Sequence, residues 1–254
     1  MPPPRPRSSG SGRRRVAIVV AVGDTAENDA QGPLPRLGVR ERKAFETRRR
    51  LLATALDLIA REGPDGVTIG VLADRSDIAV GTFYNYFPSR EAIIDTVIDL
   101  EIGAMGRRLD ALSSAVADPV NAHSAALRHL VRAAIADPVW GWFLVRLGVE
   151  SEAAFQILGE RLVNSITRGA EANRFLVSDV STVSEMTIGA LLAATRVFLL
   201  AERPAGDAAS FFAEHHLRAL GIPAEEAARI AVRKLPELPV IADQGALSIV
   251  RIAL

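Results

Sequence analysis

The sequence contains no cysteine, so disulfides and thiolate metal sites are excluded, and the chain suits a reducing compartment. Aromatic residues are scarce as well, at 5% against 49% hydrophobic residues in all. The core is therefore expected to be aliphatic and helical. Histidine occurs only at 123, 129, 215 and 216. His215 and His216 are adjacent, so on a helix they point about 100° apart and do not easily share a metal. No nucleophile–base–acid set, glycine-rich phosphate loop or metal-ligand spacing is present. The expectation is a protein that is not an enzyme, with no catalytic residues, no cofactor and no metal. Alternating period-2 segments are missing too, apart from a short apolar piece at Leu247–Leu254. The expected fold class is all-α.

Net charge is +0 over 254 residues, and that zero hides a split. Residues 1–90 carry 15 Lys+Arg and 10 Asp+Glu, and residues 91–254 carry 15 and 20. A basic N-terminal module on an acidic body directs one face toward phosphate and keeps the rest away. Residues 1–38 are rich in Pro, Gly, Ser and Arg and read as a disordered basic arm, or as an arm that tracks a minor groove. The apolar run Val16–Val22 is too short for a signal-peptide core and far below the ~20 residues of a membrane span. No membrane partner is expected.

The informative stretch is Thr68–Arg90, TIGVLADRSDIAVGTFYNYFPSR. Thr68 is a good N-cap for a short helix with Ile69, Leu72 and Ala73 on one face. Ser76-Asp77 forms the turn, and a second helix runs through Gly81–Phe87. Phe83 and Phe87, four apart, share a face and pack inward. Thr82, Tyr84, Asn85 and Tyr86 offer hydroxyls and an amide. Pro88 stops the helix, and Ser89 caps the next. A short helix held by buried aromatics and armed with small polar groups suits a DNA major groove.

Before this stretch, Arg40–Glu62 reads as one long helix. Phe45, Leu52, Ala55, Leu56 and Ile59 form its apolar face, and Arg42, Lys43, Arg48 and Arg49 its charged ones. Those charges suit solvated surface and phosphate contact equally well. After Pro88 the chain is helical throughout. Arg90 to about Leu112 is a connector with a broad apolar stripe, followed by helices over Val120–Ala136, Val139–Leu147, Ser151–Ala172, Ser178/Asp179–Glu202, Asp207–Ala219 and Ala224–Lys234. Asp118-Pro119 and Asp137-Pro138 are helix-opening pairs.

The segments TRRRLLATALDLIAREG (Thr47–Gly63), GVTI (Gly66–Ile69) and GTFYNYFPSREAI (Gly81–Ile93) together resemble the tetracycline-repressor-like (TetR) family of transcriptional regulators. Weaker likenesses at Ile166–Phe175, Gly189–Thr195 and Leu220–Ala227 resemble later helices of the family's C-terminal domains. The resemblance implies an N-terminal three-helix helix-turn-helix DNA-binding domain over residues 40–88 and a larger helical-bundle domain for ligand binding and dimerisation over 89–235. Residues 1–39 would be the arm and 236–254 a Pro-punctuated tail. It also implies a repressor that binds a palindromic double-stranded DNA operator as a homodimer and is released by a small lipophilic effector. Within the family pattern Val80, Gly81 and Thr82 approach bases and Tyr84 and Tyr86 touch phosphates or base edges, with Asn85 counted among the DNA-binding residues. Arg90 takes the place of a phosphate-binding lysine, and Thr68 caps a helix whose N-terminus faces a phosphate.

Three departures from the pattern are Asp77 in place of the usual turn glycine, Ala79 in place of a capping serine, and Gly70-Val71 at positions that are often polar. They keep a second reading open, a helical small-molecule-binding or scaffold protein with a degenerate DNA-binding head. In the body, Met105, Trp140, Phe143, Phe155 and Met186 can line a lipophilic cavity, with His123 or Arg146 as polar anchor. Taken singly, each is better explained as ordinary core. Gly189, Ala190, Ala193 and Val197 give a small-residue surface for dimerisation, with Phe198, Phe211 and Phe212 as anchors, in a four-helix interface. The alternative for these residues is burial within one subunit.

Overall fold

The computed structural model describes residues 38–202 and 204–239. The expectations for the arm and for Leu247–Leu254 lie outside the described residues. Helix α1 (Val39–Glu62) buries Leu51, Leu52, Ala55, Leu56, Leu58 and Ile59 on one face. Gly63, at φ 81°, and the 3₁₀ turn Pro64–Gly66 end it, and fully buried Val67 folds the chain back onto it. Helix α2 (Ile69–Arg75) starts where the Val71 N–H donates to Thr68 Oγ1 at 3.2 Å. Asp77 takes the left-handed conformation, φ 50°, which a short polar side chain tolerates better than most. Beside it Ser76 is fully buried and hydrogen-bonds Thr54 of α1 at 3.2 Å, so the turn is fastened to the first helix.

Helix α3 is shorter than expected, only Val80–Phe83. After it Asn85 N–H bonds the Thr82 carbonyl at 3.1 Å and Tyr86 N–H the Phe83 carbonyl at 2.9 Å, both three residues back, and Phe87 N–H reaches the same Phe83 carbonyl at 3.1 Å. Pro88 disfavours helical geometry at the residue before it and cannot itself donate, so the helix unwinds early. Phe83 and Phe87 are buried with ring centroids 5.9 Å apart, and the Arg48 guanidinium lies 5.0 Å from the Phe87 ring centre.

The connector is α4 (Arg90–Ile98), capped by Ser89 Oγ, then a π-turn over Asp99–Gly103, then α5 (Ala104–Ala115). The body follows as α6 (Pro119–Ala136), α7 (Pro138–Glu150), α8 (Glu152–Glu171), α9 (Val180–Leu200), α10 (Ala205–Ala219) and α11 (Ala224–Ala231). Asp118, Asp137, Ser151 and Asp179 each accept an N–H at the start of a helix. Asp207 does not. Pro204 opens α10, because its fixed φ suits a helix start, and Asp207 sits within the first turn. Helix α11 stops at Ala231, short of Lys234. No strand occurs among the described residues.

Helix α9 is long and apolar enough to cross a membrane, with a mean hydropathy of 1.5. Its apolar residues fall on two faces. Ile188, Leu191, Leu192 and Phe198 point into the body, and Met186, Gly189, Ala190, Ala193, Val197 and Leu200 are exposed.

Two long-range features close the body. After α11 the extended residues 234–239 run along α6 and α5. Arg128 donates to the Arg233 carbonyl at 2.9 Å, His129 Nε2 to Pro236 at 2.9 Å, and Arg108 Nε to Pro239 at 3.0 Å, while Leu235 and Leu238 pack on the core. Where α6 meets α10, His123 and His216 stack with centroids 5.2 Å apart, flanked by Phe175 and Phe212.

Burial pushes the His123 imidazole well below its ordinary pKa of 6.5, with repulsion from His216 second, and burial alone lowers His216 to about 4. Both are held neutral in the folded protein, whereas the unfolded chain takes up protons below about pH 6.5. Their stabilising contribution is complete above that pH and is lost on acidification toward pH 4. For His216 the loss is on the order of 3 kcal/mol at 1.36 kcal/mol per unit. Melting temperature is therefore expected to be flat from about pH 8 to 6.5 and to fall below it, less steeply in His216→Phe. Parallel acid limbs in the two proteins would refute the assignment.

Candidate nucleic-acid interface and body cavity

Helix α3 and the turns after it place one outward face on the head. Val80, Gly81, Tyr84 and Asn85 are exposed, and Thr82 and Tyr86 are partly so. The buried pair Phe83 and Phe87 fixes this face, since the intervening positions must then point out. Tyr84 and Tyr86 are the only tyrosines in the chain. A Cβ at Gly81 would meet nothing within 4 Å, so its surface is open to a partner's edge. Ala79 supplies no side-chain cap to α3, leaving N–H groups at that end unpaired by a side chain. Thr68 is exposed at the start of α2.

Arg90, expected at a phosphate-binding position, also makes contacts within the head. Its guanidinium donates to the carbonyls of Val67 and Pro64 and lies 3.8 Å from Asp65 and 3.3 Å from Glu91. It holds the turn after α1 against the start of α4, so its first role is to brace the head.

In the body, a cavity is enclosed by α5, α6, α7 and α8, with Leu191 of α9 at its side. It gives about 50 Å³ of room to water centres. One water needs roughly 10–15 Å³ on that measure, so the space takes a few waters or one small ring. Leu109, Leu127, Leu130, Leu144, Leu158 and Leu162 give its wall a largely aliphatic surface. The polar groups are His123, Ser165, Ser113 and an ion pair in which Arg161 Nε donates to Asp110 Oδ2 at 3.1 Å. Arg161 also donates to the Ile157 carbonyl at 2.8 Å. Gly106 makes this possible, because a Cβ there would lie 2.4 Å from Arg161 Nε.

Of the expected cavity residues, the structure brings Met105, His123 and Trp140 to the wall. The other four are corrected. Phe143 is fully buried in packing outside the wall. Arg146 turns its guanidinium toward the Trp142 ring at 5.7 Å. Phe155 lines a separate open groove of about 410 Å³ between α8 and α9. Met186 lies on the outer face of α9 and is 67% exposed. These displacements follow from helix rotation, since each residue lies on a face turned away from the cavity. Asp110, Arg161 and Ser165 were missed. The signal for two of them was local: Leu158, Arg161, Leu162 and Ser165 fall on one helical face, so two polar groups interrupt an apolar stripe.

The outer face of α9 carries Gly189, Ala190, Ala193 and Val197 with Leu200, and Phe211 of α10 is exposed with its ring 4.1 Å from that of His215. Phe198 and Phe212 are corrected as anchors of a surface, because both are buried within the subunit. Among the described residues no group of three or more His, Asp or Glu side chains could hold a metal ion.

The arrangement matches known proteins in both parts. Residues 51–97 match the family model for bacterial regulatory proteins of the tetR family, and residues 118–233 that for the tetracyclin repressor-like C-terminal domain. The chain is similar to the HTH-type transcriptional repressor KstR of Mycobacterium tuberculosis, 29% identical over 131 residues. That stretch covers 50% of this chain and 60% of that protein. It is 34% identical to KstR of Rhodococcus jostii over 29% of this chain and 32% of the other. The chain thus spans less than two thirds of these curated relatives. Among solved structures, RolR in complex with resorcinol is 36% identical, with a TM-score of 0.61, over 78% of this chain and 99% of RolR. A gamma-butyrolactone receptor at 17% identity and a TM-score of 0.60 shares the fold. With head and body each matched and one relative covered almost end to end, the chain belongs to the TetR family of bacterial regulatory proteins.

Proposed function

We propose that this protein is a DNA-binding transcriptional repressor that acts as a homodimer on a palindromic operator and is released by a small molecule held in the cavity between α5 and α8. The observation that carries the reading is the outward face Val80–Gly81–Tyr84–Asn85, unobstructed and fixed from behind by Phe83 and Phe87. Two such faces ~34–36 Å apart would enter successive major grooves of a two-fold site. Residues 40–88 would be the DNA-binding domain, residues 89–235 would hold the cavity and the dimer surface, and the working compartment would be the cytoplasm.

The dimer surface is the outer stripe of α9, where small residues allow close approach, with Phe211 beside it. Exposed Met186, Val197 and Leu200 give this face the apolar character that a subunit contact needs. For the ligand, RolR and its resorcinol point to a single-ring aromatic, and the size of this chain's cavity agrees. Release follows if the ligand binds one spacing of the two heads better than another, since only differential affinity shifts such an equilibrium. The alternative of a degenerate head draws on Ala79 and the single-turn α3. The same DNA measurement decides between the two.

Footprinting on DNA flanking the gene is expected to show a protected two-fold site that disappears on addition of a cavity ligand. Tyr84→Phe removes only an exposed hydroxyl and is expected to weaken binding to specific and random DNA alike by roughly ten-fold, the worth of one hydrogen bond to a charged group. Its salt dependence should be unchanged, because no cation is lost. Unaltered affinity rejects a phosphate contact at Tyr84. Val197→Glu is expected to sediment as a folded monomer at micromolar concentration, while an intact dimer would mean that α9 is not the interface.

A further inference from the structure

Helix α9 carries only two charged side chains in its 21 residues, Glu185 and Arg196, and both are exposed. Neither belongs to an ion pair among the described residues. At ~100° and ~1.5 Å per residue they stand ~16 Å apart along the axis and within ~20° of one face. The point midway between them falls between Ala190 and Leu191, inside the small-residue patch Gly189, Ala190 and Ala193. We infer that Glu185 of each subunit pairs with Arg196 of the partner subunit across the two-fold axis. This reciprocal pair sets the two α9 helices antiparallel and selects a second copy of this chain as the partner. The inference rests on reading the outer stripe of α9 as the dimer surface.

Symmetry carries the first part of the argument. In a two-fold contact, a residue that meets another across the axis is met by it in return. Two antiparallel copies of α9 that cross at the small-residue patch bring together positions equally far to either side of the crossing. Glu185 then faces the partner's Arg196, and Arg196 faces the partner's Glu185. Each charge lies ~8 Å from the crossing, where helices at the ~20° angle of bundle packing have diverged by only ~3 Å. The flanks agree as well, because an antiparallel two-fold pair brings like flanks together. Glu185 is on the flank toward α8, and Arg196 follows it by helical spacing, while Phe198 and Phe211 occupy the other flank. A parallel pair would set unlike flanks together and leave all four charges unmatched.

Charge carries the second part. Glu185 lines the open groove between α8 and α9, where Glu160 is the other charged residue and no cation is present. A guanidinium from the partner meets its complement there, with room to enter. The stripe itself is small and apolar and discriminates little between partners or registers. Charges that flank such a stripe reject mismatched pairings by repulsion.

Sedimentation equilibrium of the full chain tests this with Glu185→Arg, Arg196→Glu and the double variant. Each single reversal sets two like-charged pairs face to face in the dimer and is expected to weaken association about ten- to hundred-fold. The double reversal makes both pairs opposite again and should return to within about three-fold of the wild type. An equimolar mixture of the two single variants should form a heterodimer about as tight as the wild type, because both cross pairs are then opposite. Glu171→Arg, the same change of charge at an exposed site at the end of α8, should leave association unaltered. Circular dichroism checks each fold. If a reversal does not fold, Glu185→Gln and Arg196→Gln take its place, and their effects on association should be non-additive. Single reversals that associate like the wild type overturn the pairing, as do weakened ones that neither the mixture nor the double variant restores. In both cases a monomeric Val197→Glu keeps α9 as the interface. A Val197→Glu variant that stays dimeric, or a monomeric wild type, removes the interface and the pairing together.

Discussion

Residues 90–115 form one helical rod whose first half is packed in the head and whose second half walls the cavity, and the position of every other element follows from that sharing. Ile93 and Val97 bury themselves beside Phe83 and Phe87, and Leu109 and Leu112 do the same in the body. The π-turn at Asp99–Gly103 adds a residue to one turn, which rotates the buried stripe of the second half relative to that of the first. There four consecutive residues, Glu101, Ile102, Gly103 and Ala104, are buried, so the rod is enclosed all round at its waist. Ile102 is both part of that waist and part of the cavity wall. Ile102 thus joins the cavity wall to the middle of the rod.

Helix α6 has the corresponding task on the far side. Its inward face gives the cavity His123, Leu127 and Leu130, and its outward face holds the C-terminal strap through Arg128 and His129. His123 also reaches the stacked ring of His216 on α10, which carries Phe211 on its exposed side. Cavity and candidate subunit surface are thus separated by two imidazole rings held neutral by their surroundings. The only charges in the wall cancel within 3.1 Å of each other. Such a body is tuned by shape and by single hydrogen bonds more than by long-range attraction.

The head was legible in the sequence because its special positions are special locally. Thr68, Ser89 and Pro88 act on neighbours within four residues, and the spacing of Phe83 and Phe87 gives the buried face directly. The length of α3 was not legible. Its unwinding depends on Pro88 acting through residues that individually tolerate a helix. The bracing contacts of Arg90 were not legible, because the carbonyls of Pro64 and Val67 come to it through the fold of the turn. In the body, helix starts at Asp118, Asp137, Ser151 and Asp179 could be read, whereas partners could not. Asp110 and Arg161 are far apart in sequence, as are His123 and His216, and no periodicity connects them. Large residues were a poor guide to the cavity, since Phe143 and Met186 are large apolar residues like Trp140 but are turned inward and outward by their helices.

The strap over residues 234–239 bears on how the molecule is made. Contacts that assemble the head span few residues: Ser76 to Thr54 is 22 apart and Arg90 to Pro64 is 26. The strap contacts span 105 to 131 residues, from Arg128 to Arg233 and from Arg108 to Pro239. A chain leaving the ribosome can assemble the head while the body is still being synthesised, since local contacts form early and distant ones wait for their partners. The wall between α5 and α6 stays unclamped until nearly the last described residue has emerged. The nascent chain can thus acquire the outward face at Val80–Asn85 well before it has a finished cavity.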